Sequence, residues 1–431
     1  MQTLIKGGRI IDPARGIDAA GDLLIDSGTI AGIEPGGSIE PDGDHCQFID
    51  ARGKWVCPGL VDMHVHFRQP GEEYKETIAT GSRAAAAGGF TAVCTMPNTS
   101  PVNDCAEVTR FIIEQAEAAG LVRVYPAAAI SRGLEGRQLC EFGELAAAGA
   151  VAVTDDGRPV SDPLLMRRAL EYSSAFGLRV ISHCEELELS AGGAMNEGAL
   201  ATAMGLPGIP CAAESIMVMR DISLARLTEV AVHIAHVSTA ESVAAIRRAK
   251  EEGIPVTAET APHYFSLTEK AVEGYDTHAK MNPPLRCEQD RLAVCEALAD
   301  GTIDAIATDH APHSELEKLV EFQLAANGVV GLETSLPLGL KLVAGGLLSP
   351  LQLIERMSAA PARILGLPSG LRKGMAADIV IIDPEVEFTV SAAGFRSKGR
   401  NTPFEGWSLR GRAVLTMVGG KTVYRDAGFG Q

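Results

Sequence analysis

The chain has 431 residues, 46% of them hydrophobic and 22% charged, enough for one core of barrel size plus a smaller satellite domain. Its formal net charge of −17 argues against a nucleic-acid partner, since phosphate binding needs a basic surface. Low-charge stretches such as Ala84–Ala87 stop well short of membrane-spanning length, the opening MQTLIKGGRI lacks a secretory core, and nine cysteines without a C-x-x-C pair read as thiols in a reducing compartment; no membrane partner and a cytoplasmic location are expected.

Residues 1–57 form β-rich runs, TLIKGGRIID, DLLIDSGTIAGIEP and QFIDARGKWV, punctuated by Gly, Pro and Asp. The long middle then alternates short apolar runs with helix-like segments, the signature of a parallel sheet. Its eight strand candidates are GLVDMHVH, GFTAVCTM, VRVYPAAAI, AVAVTDD, RVISHCE, VHIAHVS, VTAET and AIATDH. The helical patterns EVTRFIIEQAEAAG and ESVAAIRRAKEEG each end at a Gly suited to a helix C-cap. The charges of GEEYKE and RRAKEEG read as solvated helix residues. The C-terminus returns to strand-like runs, ADIVIIDP, EFTV, GRAVLTMVGG and KTVYRD, so both ends are expected to build one discontinuous domain. Eight strands with intervening helices fit a closed (β/α)8 barrel. An open doubly wound sheet is the weaker alternative, as no G-x-G-x-x-G follows the first strand.

Polar residues end five of these strands, at the face where a barrel carries its active site. His64 and His66 form an H-x-H pattern; side chains alternate along a strand, so both point into the lumen while Val65 points outward. Alone, that pair reads equally well as metal ligands or as chance polar residues at a strand end. His183 on strand five, His236 on strand six and Asp309 on strand eight converge on the same rim. Strand four offers two carboxylates, and parity separates them: Asp155 falls with the outward Val151 and Val153, Asp156 with the inward Ala152 and Thr154. Asp156 is therefore the favoured ligand and Asp155 the weaker choice. Imidazoles and carboxylates on one rim are the ligand set that suits zinc. His233, of opposite parity to His236, reads as an ordinary core histidine. His263 in TAPHYF also faces the rim, in a supporting or structural role outside the ligand set.

These residues belong to longer motifs. GLVDMHVHFRQPG, GGFTAVCTMPNTSP, MNPPLR, ATDHAPH, GVVGLETSLPLG and SKGRNTPFEGWSLRG closely resemble bacterial dihydroorotases of the amidohydrolase superfamily, over nearly the whole chain. H-x-H marks only the superfamily; HFRQPG, MPNT and MNPPLR together are far more specific. The resemblance implies a (β/α)8 TIM barrel with a small β-sandwich from both chain ends, divided as 1–57, 58–360 and 361–431. It implies the reversible cyclisation of N-carbamoyl-L-aspartate to L-dihydroorotate in pyrimidine synthesis, with one or two zinc ions per subunit. Many relatives bridge two zincs with a carboxylated lysine after strand four. Here Lys75 is the only lysine between His66 and His183, and it follows strand one; Asp156 takes the strand-four position, as in the type I branch.

Carried over residue by residue, the resemblance makes His64, His66, Asp156, His183, His236 and Asp309 metal ligands, with Asp309 also the catalytic acid/base. Arg68, Asn98, Asn282 and His313 match positions that hold substrate. One departure is AANGVVGLET, where relatives often carry a proline before the glycine. The resemblance also implies a homo-oligomer and allows association with aspartate transcarbamoylase. Two alternatives stand beside it. A hydantoinase, dihydropyrimidinase or allantoinase would be expected to carry the lysine after strand four, and its substrate need not carry a ring carboxylate. A non-catalytic scaffold for aspartate transcarbamoylase would have lost ligands, whereas all six candidates are present.

Overall fold

A computed structural model of the protein describes residues 2–41 and 46–430. The chain opens with β1 (Gln2–Asp12), antiparallel to β2 (Ile17–Asp26), which pairs with β3 (Thr29–Pro35). β4 (Cys46–Asp50) and β5 (Trp55–Pro58) run parallel to successive lengths of β1. At the seam between this sheet and the barrel, a Cβ on Gly59 would come within 2.0 Å of Thr91 Oγ1. No side chain fits there, and the Gly59 N–H donates to the Asp378 carbonyl at 3.0 Å.

The barrel strands are β6 (Leu60–Val65), β7 (Phe90–Thr95), β8 (Arg123–Ala128), β9 (Ala152–Thr154) and β10 (Arg179–Ser182). A two-stranded ribbon, β11 (Met195–Asn196) with β12 (Gly208–Ile209), stands apart from them. β13 (Val232–Ile234), β14 (Val256–Thr260) and β15 (Ala305–Ile306) complete the parallel set in sequential order, and a bridge between Val65 and His310 closes it. All six residues of β6 and all six of β7 are buried, as expected for strands covered on both faces. The lumen is filled mostly by small or flexible side chains, Met63, Cys94, Met96, Ala127, Ala152 and Ala305, with the bulkier Ile181 among them.

Local signals behave as their chemistry dictates. The helix Ala106–Ala119 ends on Gly120 at φ 61°, where a left-handed residue accommodates the cap. The helix Ala240–Glu251 begins where the Thr239 side chain accepts the Ser242 N–H. Two expectations are corrected. Barrel pairing stops at Ser182, Ile234 and Ile306, so His183, His236 and Asp309 lie just beyond their strands rather than at the last paired residue. Glu76 of GEEYKE is not a solvated helix charge: it is wholly buried ahead of the helix Ile78–Gly88. Its carboxylate accepts from the hydroxyls of Thr80 and Ser397, and from the Lys398 N–H at 3.2 Å.

After the barrel the chain returns through β16 (Ile379–Thr389), β17 (Ser408–Val418) and β18 (Lys421–Arg425). β16 pairs antiparallel with β5, so both chain ends join one eight-stranded mixed sheet ordered β18-β17-β16-β5-β1-β2-β3, with β4 on β1. Ile5, Leu23, Ile25 and Ile30 share one core with Ile379, Ile381, Leu415 and Met417, each burial worth about 1.5–3 kcal/mol. Among the described residues, no helix is long and apolar enough to cross a membrane.

Candidate metal centre

The rim of the barrel gathers all six predicted ligands. Asp156, buried just past β9, sits at the middle. Its Oδ1 lies 3.3 Å from His64 Nε2, 3.5 Å from His183 Nδ1 and 3.6 Å from His236 Nε2, and its Oδ2 lies 3.5 Å from His66 Nε2. Two triads able to hold an ion share this carboxylate: His64, His66 and Asp156, and Asp156, His183 and His236. Asp309 approaches the first, 3.2 Å from His66 Nε2 and 3.6 Å from His64 Nε2.

The imidazoles are oriented from behind. His64 Nδ1 lies 2.7 Å from Glu259 Oε1, His66 Nδ1 lies 2.9 Å from Asn98 Oδ1, and His183 Nε2 lies 2.9 Å from Glu185 Oε2. Each oxygen accepts a hydrogen bond from the ring N–H it faces, so the opposite nitrogen is turned to the centre, where it can pair with a carboxylate as N–H or give its lone pair to a cation. The donor set therefore fits a cation. His64 Nε2 is buried without a hydrogen-bond partner, and His183 Nδ1 and His236 Nε2 face each other at 2.8 Å. Burial alone would raise the Asp156 carboxyl, but His64, His183 and His236 hold it well below the usual range. Burial opposes charge on Asp309 too, yet the neighbouring His66, His64 and His236 hold it low.

The backbone is bent to make this arrangement. Arg68, His236 and Asp309 occupy the left-handed region at φ 60°, 35° and 48°, which non-glycine residues adopt rarely and mostly where surrounding contacts impose it. Asp62 supplies one such contact: its carboxylate accepts from the N–H groups of His64 and Thr308 at 3.1 and 3.0 Å and from the Thr308 hydroxyl at 2.5 Å. It thereby fastens the H-x-H strand beside the Asp309 loop.

Arg68, Asn98, Asn282 and His313 all line the same cavity of about 230 Å³, with Ala311, Asn327 and Gly328. Arg68 is buried and donates from Nε to the Pro312 carbonyl at 3.3 Å. The Asn98 oxygen is engaged by His66, and the Asn282 amide donates to Glu185 Oε2 at 3.0 Å. His313 Nε2 lies 2.7 Å from the Asn327 carbonyl; burial, with Arg68, Lys318 and Lys75 nearby, pushes this imidazole down to about 3, so it is neutral and donates. Asp155 turns away from the centre: its carboxylate accepts from the N–H groups of Ile130 and Ser131 at 2.8 and 2.9 Å and from the Ser131 hydroxyl. Lys75 Nζ is held by Glu72 and Glu317 at 2.7 and 2.9 Å.

Sequence reasoning missed Glu259, Glu185 and Asp62. Glu259 is fully buried in β14, and although burial works against its charge, His233 and His64 hold it down at about 2. A carboxylate within the run VTAET was the available signal. His233 is packed in the core with Nδ1 2.9 Å from Thr257 Oγ1, and its Nε2 lies 3.4 Å from the same Glu259. His263 is buried against Tyr264, with burial pushing it down to about 4.

The sequence pattern of the amidohydrolase family matches residues 55–423. A dihydroorotase of Desulforapulum autotrophicum is 58% identical over 420 residues, covering 97% of this chain and 98% of the relative. A dihydroorotase of Anaeromyxobacter dehalogenans is 56% identical over 425 residues, covering 98% of each. Among solved structures, the L-hydantoinase (dihydropyrimidinase) of Arthrobacter aurescens superimposes with a TM-score of 0.87 at 28% identity, covering 99% of this chain and 97% of that one.

Proposed function

The chain belongs to the amidohydrolase family and is a dihydroorotase, a cyclic amide hydrolase, and from that premise we propose that its rim residues hold zinc and interconvert N-carbamoyl-L-aspartate and L-dihydroorotate. The observation that carries this reading is the Asp156 carboxylate set 3.3–3.6 Å from four inward-facing imidazole nitrogens. Four imidazoles and two carboxylates suit zinc better than magnesium or calcium, which favour oxygen alone. His64, His66, Asp156, His183, His236 and Asp309 are the ligands, for one or two ions per chain.

Zinc, when bound, supplies Lewis acidity that polarises an amide carbonyl and acidifies water. The protein does the rest. In ring opening, Asp309 takes the proton of the attacking water and delivers it to the departing ring nitrogen; in ring closure it removes a proton from the carbamoyl nitrogen. Arg68, buried in the cavity wall, grips the substrate carboxylate that lies away from the reacting carbon. Asn98, Asn282 and His313 add neutral polar contacts, and the hydrogen bonds that Asn98 and Asn282 make to His66 and Glu185 couple substrate to ligand geometry.

Hydantoinase chemistry is the competing reading within the fold. A buried arginine lining the cavity favours the acidic substrate, and Lys75, the only lysine between His66 and His183, is held by Glu72 and Glu317. Turnover of dihydroorotate, hydantoin and allantoin under one condition tests this: dihydroorotate is strongly preferred, and a preference for hydantoin overturns the substrate assignment. We also take the enzyme to be cytoplasmic and homo-oligomeric, with aspartate transcarbamoylase as a candidate partner. Light scattering of the protein with and without that enzyme reads both association states.

A further inference from the structure

The closing segment Ser397–Phe404 lies more than 80 residues beyond the Asp309 loop in sequence, yet it reaches the back of the substrate wall. Asn401 is 2% exposed and does not touch the cavity. Its side-chain amide donates to the carbonyls of Ala311 and Gly328 at 2.9 and 3.0 Å, and its side-chain oxygen accepts the His313 N–H at 3.0 Å. Its own carbonyl accepts the Val330 N–H at 2.9 Å. Ala311, His313 and Gly328 all line the cavity, and Pro312 between the first two carries the carbonyl that receives Arg68 Nε at 3.3 Å.

We infer that Asn401 is a positioning residue for substrate: one buried amide that locks the Ala311–His313 loop to Gly328 and so sets where Arg68 and His313 meet the ligand. Only an uncharged amide of this length suits the place. Both its hydrogens meet carbonyl oxygens and its oxygen meets an N–H, so a carboxylate of the same shape would set oxygen against two buried carbonyls. The approach is close on every side. A Cβ on Gly399 would come within 2.7 Å of Pro312 and Val330 and 3.0 Å of Asn401 Oδ1, and a Cβ on Gly328 would come within 2.5 Å of the Ala311 Cβ. Glycine at both positions lets the two loops and the closing segment stack. The wall is thus built jointly by the barrel and by chain that follows it. The imidazoles of His64, His66 and His183 are held by Glu259, Asn98 and Glu185, none of which is hydrogen-bonded to this amide.

This inference rests on the reading that Arg68 and His313 contact substrate, and the test separates the two. Steady-state kinetics with dihydroorotate, bound metal per chain and Tm are measured for N401A and N401D beside R68A, H313A and L415A, the last a control that weakens the terminal-sheet core away from the cavity. The expected result is that both Asn401 variants raise KM by about tenfold or more while kcat stays within about threefold. Their metal content is that of the unmodified enzyme, and L415A lowers Tm without moving KM. Unchanged KM in N401A, or a KM shift in L415A as large as in N401A at equal loss of Tm, overturns the positioning role. Unchanged KM in both R68A and H313A overturns the wall as substrate site instead.

Discussion

The proposed metal rim and substrate wall line one small cavity, and they are held by different kinds of contact. Ligands of the rim stand on or just beyond barrel strands and are aimed by side chains of neighbouring elements, such as Glu259 on His64 and Asn98 on His66. The wall is made of loop backbone around Pro312 and Gly328, fastened by Asn401 and by the buried Lys318, whose Nζ donates to the carbonyls of Thr277, Lys280 and Ala326. On this proposal the chemistry rests on side chains at or just past the strand ends, aimed by buried neighbours, and substrate selection rests on loops that distant segments must hold.

That contrast predicts a graded set of failures. His64→Ala removes an imidazole from the shared centre, and bound zinc and ring-opening activity fall together to background, read by metal analysis beside the assay; full activity in this variant removes the site from consideration. Asp309→Asn keeps the imidazoles and is expected to retain metal while kcat drops by about 10²- to 10⁴-fold, the usual range for a lost general acid/base; near-normal turnover takes the proton shuttle away from Asp309. Arg68→Ala acts on the wall and costs about 2–5 kcal/mol of substrate binding or transition-state stabilisation, seen in kcat/KM with metal content unchanged. Glu259→Gln leaves an acceptor for His64 but removes its charge, and zinc affinity measured by chelator competition falls by about 10- to 100-fold. An unaltered affinity there means Glu259 only fills the barrel.

The same contrast explains what could be read in advance. His64 and His66 share a face because strands alternate, and that period also separated Asp156 from Asp155, whose carboxylate turns to Ile130 and Ser131 instead. The barrel was legible in runs such as GFTAVCTM, because strands covered on both faces must be continuously apolar. Strand parity says nothing beyond the last paired residue, and His236 and Asp309 reach the centre through left-handed backbone that spacing does not encode. Glu76 looked like a helix charge because two of the partners that bury it, Ser397 and the Lys398 N–H, lie more than 300 residues away. Asn401 was visible only as part of SKGRNTPFEGW, since its role lies in which carbonyls it meets.

The most direct test of the shared metal centre is to strip the protein with a chelator and titrate zinc back while following dihydroorotate ring opening. The account predicts that activity vanishes on stripping and returns in proportion to zinc bound, with His64→Ala recovering none. Full ring opening by protein free of metal would contradict it.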